Sequence, residues 1–400
     1  MPLLIESETY CLPRGGEEIE RLNRQHLFIR ALFNGNLIHP HIPLSQIRSV
    51  ADVGTGTGAW LLDTRSQLLQ NQLQQHNKKV QSPLQFVGFD ISDAQFPLDV
   101  GRRRDECEGR SDLDFVVHDL LQPFPAEYHG QFDLVHLRLL VGGTRVEDIP
   151  TYLQHVSSLL RPGGYLSWQD LDFADIWTEP FHPAVQAFTA AAHELQLQRK
   201  SSLSLPQDLL RSLLSLQTPL RDDGTAAAWQ DGDGDGGADG PVNAVTNTNA
   251  TFRLLAFDKS LTHAASDKVQ AKGNLAQQGA WVGIAERCIE QLEHELLSLP
   301  ATGLALGRGG SESGGGGGGG VDAVAEAEEE EEEVEVERRR LRRRLEDRRA
   351  NLEEVKAAFA RGEFRWQWGI TWLVARKTHF CSRDPSGSFM RSRRAQCVGS

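Results

Sequence analysis

Glycines stand at 54, 56 and 58 in the segment VADVGTGTGAW, Val50 to Trp60, directly behind a short apolar run that contains Asp52. Glycine tolerates positive φ and lets backbone approach a ligand closely, so a glycine turn between a strand and a helix cradles a nucleotide. Two ligand classes compete for this one. Gly54, Gly56 and Ala59 satisfy the dinucleotide spacing G-x-G-x-x-G/A. Three features point elsewhere. Asp52, two residues before Gly54, sets a carboxylate facing the loop, where it suits an ammonium and would repel a pyrophosphate. Gly58 makes the pattern an alternation rather than a spaced third glycine. Two later runs, FVGFDIS and FVVHDLL, each end a strand in an acid. Asp90 suits both hydroxyls of a ribose, and Asp119 suits the amine of adenine while Leu120 covers the ring. Thr55 in the loop and Ile91 beyond Asp90 complete the set. Ammonium, ribose and adenine are the parts of S-adenosyl-L-methionine, and the ensemble points to that cofactor. Singly, each acid also suits a helix cap or a turn; three at successive strand ends behind a glycine loop do not.

These residues need a scaffold, and the surrounding pattern supplies one. Short apolar runs at 49–53, 85–90, 113–117, 132–137 and 164–169 read as strands. Helical patterns alternate with them, as at 146–160, where Ile149, Leu153, Val156 and Leu160 share a face and Pro162-Gly163-Gly164 signals the end. Strands alternating with helices imply a parallel sheet covered on both faces, which binds ligands at its carboxyl edge. Further helices are expected at 17–33, 182–200, 206–216 and 269–299. The last of these carries a stripe of Trp281, Ile284, Ile289, Leu292 and Leu296. Strands are expected at 252–257 and 366–377.

Two tracts break the pattern. Residues 221–251 are rich in Asp, Gly and Asn and are expected to be disordered. Residues 301–350 hold glycine, glutamate and arginine blocks, the charged part reading as one solvated helix that runs to Phe359. The expected division is a helical cap at 1–47, the core at 48–220, the insertion at 221–251, a strand and cap helix at 252–300, the second insertion at 301–350, the last helix and strand at 351–378, and a tail at 379–400.

Composition excludes several classes. The net charge of −13 over 400 residues argues against a general nucleic-acid binder. No run approaches the ~20 apolar residues of a membrane helix, and the start lacks the pattern of a signal peptide. Cysteines 11, 107, 288, 381 and 397 show neither paired nor metal-ligand spacing, so no metal site is expected and the compartment reads as cytoplasmic, with the nucleus as the alternative. The end, Cys397-Val398-Gly399-Ser400, matches a prenylation box only loosely, and a frayed basic tail is the preferred reading.

Taken in order, VADVGTGTGAWLLD, FVGFDISDAQFP, HDLLQPFP, FDLVHLRLL and LLRPGGYLSWQDLD resemble the class I adenosylmethionine-dependent methyltransferases, particularly the fungal secondary-metabolism group. YCLPRGGEEIERLNRQH resembles that group's segment over the cofactor, and WGITWLVARK its final strand. The resemblance implies an α/β, Rossmann-like, doubly wound sheet of seven strands with the last antiparallel, carrying a helical cap and low-complexity insertions. It implies cofactor roles for Asp52, Gly54, Gly56, Gly58, Asp90 and Asp119, and lid roles for Tyr10 and His26. It also sets His136 at the methyl-transfer end of the fourth strand. His136 is then a general base, a cofactor contact or a packed side chain. Asp170 and Asp172 either orient an acceptor or serve as turn formers, and Trp168 and Trp177 line a pocket or belong to the core. The expected activity is methyl transfer to nitrogen or oxygen of a small-molecule acceptor, a secondary metabolite, with neither nucleic acid nor membrane expected as a partner. The alternative is a regulator of secondary metabolism on the same fold, acting through protein partners in the nucleus. A nicotinamide oxidoreductase is the third reading.

Overall fold

The computed structural model describes residues 16–74, 83–97, 112–216, 252–261, 286–299 apart from 287 and 291, and 320–378. The tract at 221–251, the tail at 379–400, Tyr10, Trp281, Ile284 and every cysteine except Cys288 lie outside the described residues. Cys288 is buried.

Seven strands form one sheet in the order β3-β2-β1-β4-β5-β9-β7. β1 (Ser49–Val53), β2 (Gln85–Asp90), β3 (Leu113–Val117), β4 (Phe132–Arg138) and β5 (Leu160–Leu171) run parallel to one another. β7 (Phe252–Leu261) and β9 (Gly369–Lys377) close the edge, with β9 antiparallel to both of its neighbours. β1 is buried along its whole length, as a central strand covered by helices on both faces must be. The helices are α1 (Gly16–Leu32), α2 (Ala59–Gln74), α3 (Ile149–Leu159), α4 (Pro183–Gln198), α5 (Leu205–Leu216) and α6 (Gly320–Ala360). Among the described residues no helix is long and apolar enough to cross a membrane.

Three local expectations are corrected. α3 ends at Leu159, before the Pro-Gly-Gly signal, and β5 already begins at Leu160, which pairs with Phe132. Proline pushes the preceding chain toward extended conformation, so the helix stops early and the strand takes up Arg161–Gly164. The run at 366–377 is two strands: β8 (Arg365–Gln367) pairs with β6 (Trp177–Glu179) in a separate ribbon, and Trp368 leads into β9. The charged helix α6 is not solvated all round. Leu341, Leu345, Leu352, Val355 and Ala358 are buried, at helical spacing on one stripe. Arg344 and Arg348 reach Glu194 of α4 from beside that stripe.

Candidate cofactor and acceptor site

The turn from β1 into α2 is built on conformations that side chains resist. Gly54, Gly56 and Gly58 have φ of +72°, +53° and +70°. A Cβ on Gly54 would lie 2.7 Å from Leu140 Cδ2, and one on Gly58 would lie 2.7 Å from Phe115 Cζ. The loop is tied to the second strand by the Gly54 and Thr55 amides, which donate to Phe89 O, and by the Gly56 amide, which donates to Asp90 Oδ2 at 2.8 Å. Asp90 therefore braces the loop, while its Oδ1 accepts the Ser92 amide at 3.3 Å.

Asp52 is buried, and Thr55 Oγ1 donates to its Oδ2 at 2.7 Å. Burial pushes its pKa up to about 6, against the Thr55 hydrogen bond and the charge of Arg138. Asp119 accepts the Leu121 amide at 2.9 Å, a turn-forming bond that occupies one of its oxygens. The carbonyl of Leu120 accepts from His155 Nδ1. Ile91 is exposed just past β2. The predicted cofactor residues thus converge on the carboxyl ends of β1, β2 and β3.

The predicted catalytic residues sit differently. His136, beside Asp52 in the sheet register, is fully buried and stacked on Trp60 at 3.6 Å between centroids. Its Nδ1 lies 3.4 Å from Ser167 Oγ, and Nε2 has no hydrogen-bond partner among the described residues. Burial and the neighbouring Arg138 hold its pKa well below the usual value, so the ring is neutral and enclosed. Asp170 is buried and accepts from the amides of Leu140, Val141 and Leu171 and from Trp168 Nε1. It anchors the turn after β4, where Leu139 is held at φ +55°, a conformation that costs a non-glycine residue about 1–2 kcal/mol. That turn carries Leu140 onto Gly54. Asp172 accepts the Ala174 amide in a turn and faces Lys259. Trp168 is core, whereas Trp177 is half exposed on the small ribbon.

α1 lies across the loop. Leu22 sits over Gly56, and Thr57 Oγ1 donates to Asn23 Oδ1 at 2.8 Å. His26 Nε2 meets Asp63 Oδ2 of α2 at 2.9 Å, and Arg30 donates to the same oxygen. Arg138 Nη1 donates to His26 Nδ1 at 3.1 Å. Because guanidinium can only donate, Nδ1 must accept and Nε2 must carry the proton. Burial first, then Arg138, lowers the His26 pKa to about 4, in keeping with a neutral ring. Sequence reasoning missed Arg138 and Asp63. Arg138 is the one arginine in FDLVHLR, and nothing in that run alone marks it as more than a surface cation.

Residues 22–205, which hold the glycine loop, the strand-end acids and His136, match the family model described as a methyltransferase domain. Over these residues the chain is similar to a methyltransferase domain. Curated relatives agree: this chain is 36% identical to the methyltransferase grgD of a Penicillium species over 167 residues, 42% of this chain and 54% of that protein. It is 31% identical to the N-methyltransferase verN of Clonostachys rogersoniana over 40% of this chain and 49% of that protein. It is 30% identical to the N-methyltransferase gliN of Aspergillus fumigatus over 41% and 50%. The chain thus spans about half the length of the curated relatives it matches. The cofactor of a class I methyltransferase domain is S-adenosyl-L-methionine, and the residues present fit it. Three glycines at positive φ form the turn from strand to helix, and the carboxylates of Asp52 and Asp90 stand beside it.

Proposed function

We propose that the chain transfers a methyl group from S-adenosyl-L-methionine to a small molecule of the secondary-metabolite class, with nitrogen favoured over oxygen as the acceptor atom. Asp52 would receive the methionine ammonium, Asp90 the ribose hydroxyls, and Asp119 with Leu120 and Ile91 the adenine. Gly54, Thr55, Gly56 and Gly58 would form the floor. The cofactor supplies an activated methyl group on a positively charged sulfur, so the chain's own work is alignment and exclusion of water.

The observation that carries the reading is the glycine loop braced by Asp90 and faced by buried Asp52. The preference for nitrogen rests on the two candidate bases. His136 is enclosed and neutral, and Asp170 is committed to four N–H donors. An amine can attack as its neutral form without losing a proton first, whereas a hydroxyl gains from a base. The names of two relatives, both N-methyltransferases, support the same choice.

Calorimetric titration with adenosylmethionine and adenosylhomocysteine tests the cofactor site, with Asp90→Ala as the control. Micromolar binding that the variant loses is the expected result. A well-folded wild type that binds neither ligand would overturn the proposal. Acceptor class is then read by mass spectrometry against paired amine and phenol panels.

A further inference from the structure

The amino-acid end of the proposed cofactor carries two charges, and Asp52 answers only one of them. The ammonium has a carboxylate to meet; the α-carboxylate needs a cation. Asp52 and His136 are register partners on β1 and β4, and Arg138 follows His136 by two residues. Register partners in parallel strands, and residues two apart in one strand, share a face of the sheet. Arg138 therefore stands on the Asp52 face, one step further toward the carboxyl edge. Among the described residues its hydrogen bond is to His26 Nδ1, a neutral acceptor, while Asp52 and Asp63 act on it through their charges without forming an ion pair. The other nearby arginines are engaged. Arg21 holds Glu18 in a bidentate pair at 2.6 Å that leaves only its buried Nη1 over, and Arg30 holds Asp63 at 2.9 Å. A half-buried guanidinium with one neutral hydrogen-bond partner, near two carboxylates but bonded to neither, keeps most of its five donors for an anion.

We propose that Arg138 receives the α-carboxylate of the cofactor's methionine end, and that His26, fixed by Asp63, is the positioning residue that orients the guanidinium for it. The inference rests on the adenosylmethionine reading of the site. It also gives α1 a role in binding. His26 belongs to α1, Asp63 to α2 and Arg138 to β4, so the bond chain Arg138–His26–Asp63 joins the covering helix to the carboxylate receptor. Ligand carboxylate and lid position are thereby coupled.

The test compares two probes that differ in one group: adenosylhomocysteine, and its decarboxylated analogue, which keeps the ammonium. Wild type should bind the analogue more weakly by roughly 10- to 100-fold, the range of a charge-assisted hydrogen bond. Arg138→Gln should weaken adenosylhomocysteine by a similar factor and leave the analogue unchanged. Should Arg138→Gln unfold the domain, Arg138→Lys carries the same comparison, keeping the charge but losing the fork, with an intermediate loss on adenosylhomocysteine alone. His26→Ala should show a smaller loss, again confined to the ligand with the carboxylate. Equal weakening of both probes by the Arg138 variants, or a wild type indifferent to the carboxylate, would overturn the proposal. A wild type that binds neither probe defeats the cofactor reading instead; Asp90-dependent binding of both with no selective loss defeats only the role of Arg138.

Discussion

An acid enclosed in protein resists ionisation unless something positive meets it, and Asp52 is such an acid. Its pKa is raised by burial from the usual 3.8 to about 6. The folded value thus lies above the unfolded one, so the stability it contributes is fully present below the usual carboxylate range and is lost as pH rises through about 6. A cationic ligand that needs the ionised form has the opposite dependence. Affinity for adenosylmethionine is expected to fall about tenfold per pH unit below about 6. Titration calorimetry across that window checks this, and Asp52→Asn should flatten the profile while weakening binding throughout. Asp170 presents the other use of a buried carboxylate. Asp170→Asn puts an amide group against N–H donors that now meet an acceptor. The expected cost is about 2–4 kcal/mol, a lost charge-assisted bond plus an unsatisfied donor. Urea unfolding measures it, and an unchanged midpoint would show that Asp170 does not anchor the turn.

The loop between β1 and α2 combines two separate demands on glycine, and substitutions can pull them apart. Gly130 has φ +66° with open space where a Cβ would go, whereas Gly58 has φ +70° and Phe115 at 2.7 Å. Gly130→Ala should cost only the left-handed backbone, about 1–2 kcal/mol. Gly58→Ala should cost more, because the Phe115 ring must move, and it alone should weaken adenosylhomocysteine binding. Thermal unfolding with and without ligand distinguishes the two, and equal losses would remove the steric part of the argument. The same loop explains what was legible beforehand. β1, β2 and β3 begin and end where the apolar runs do, because a glycine or an acid closes or follows each run. The boundary between α3 and β5 was not legible from its Pro-Gly-Gly signal, since that signal marks where a helix cannot continue and not where a strand can start. Arg138 was passed over for a similar reason: its meaning comes from His26, more than a hundred residues earlier, and only the sheet register brings them together.

α6 shows how composition can hide a long-range contact. Its arginines and glutamates dominate the sequence, yet Leu341, Leu345, Leu352, Val355 and Ala358, three, four or seven residues apart, are covered by the rest of the molecule. Long charged side chains flank that stripe and reach across to neighbouring helices, as Arg349 does to Glu293 and Arg348 to Glu194. The stripe does not feed a single core. Leu352, Val355 and Ala358 belong to the large cluster that contains the sheet, while Leu341 and Leu345 form a small satellite with Leu292. Truncating a buried leucine to alanine costs about 2–5 kcal/mol wherever it packs, but cooperativity decides where that loss is felt. Leu352→Ala is expected to lower the global unfolding midpoint together with the sheet. Leu345→Ala is expected to open α6 locally, with faster amide exchange near the satellite and little change in the strands. Adenosylhomocysteine affinity should survive both substitutions, since α6 contributes none of the residues around the glycine loop. Hydrogen exchange followed by mass spectrometry reads the two patterns directly. If Leu345→Ala accelerates exchange across β1, β4 and β5 as well, the satellite is part of the main cooperative unit, and the charged helix stabilises the whole methyltransferase domain.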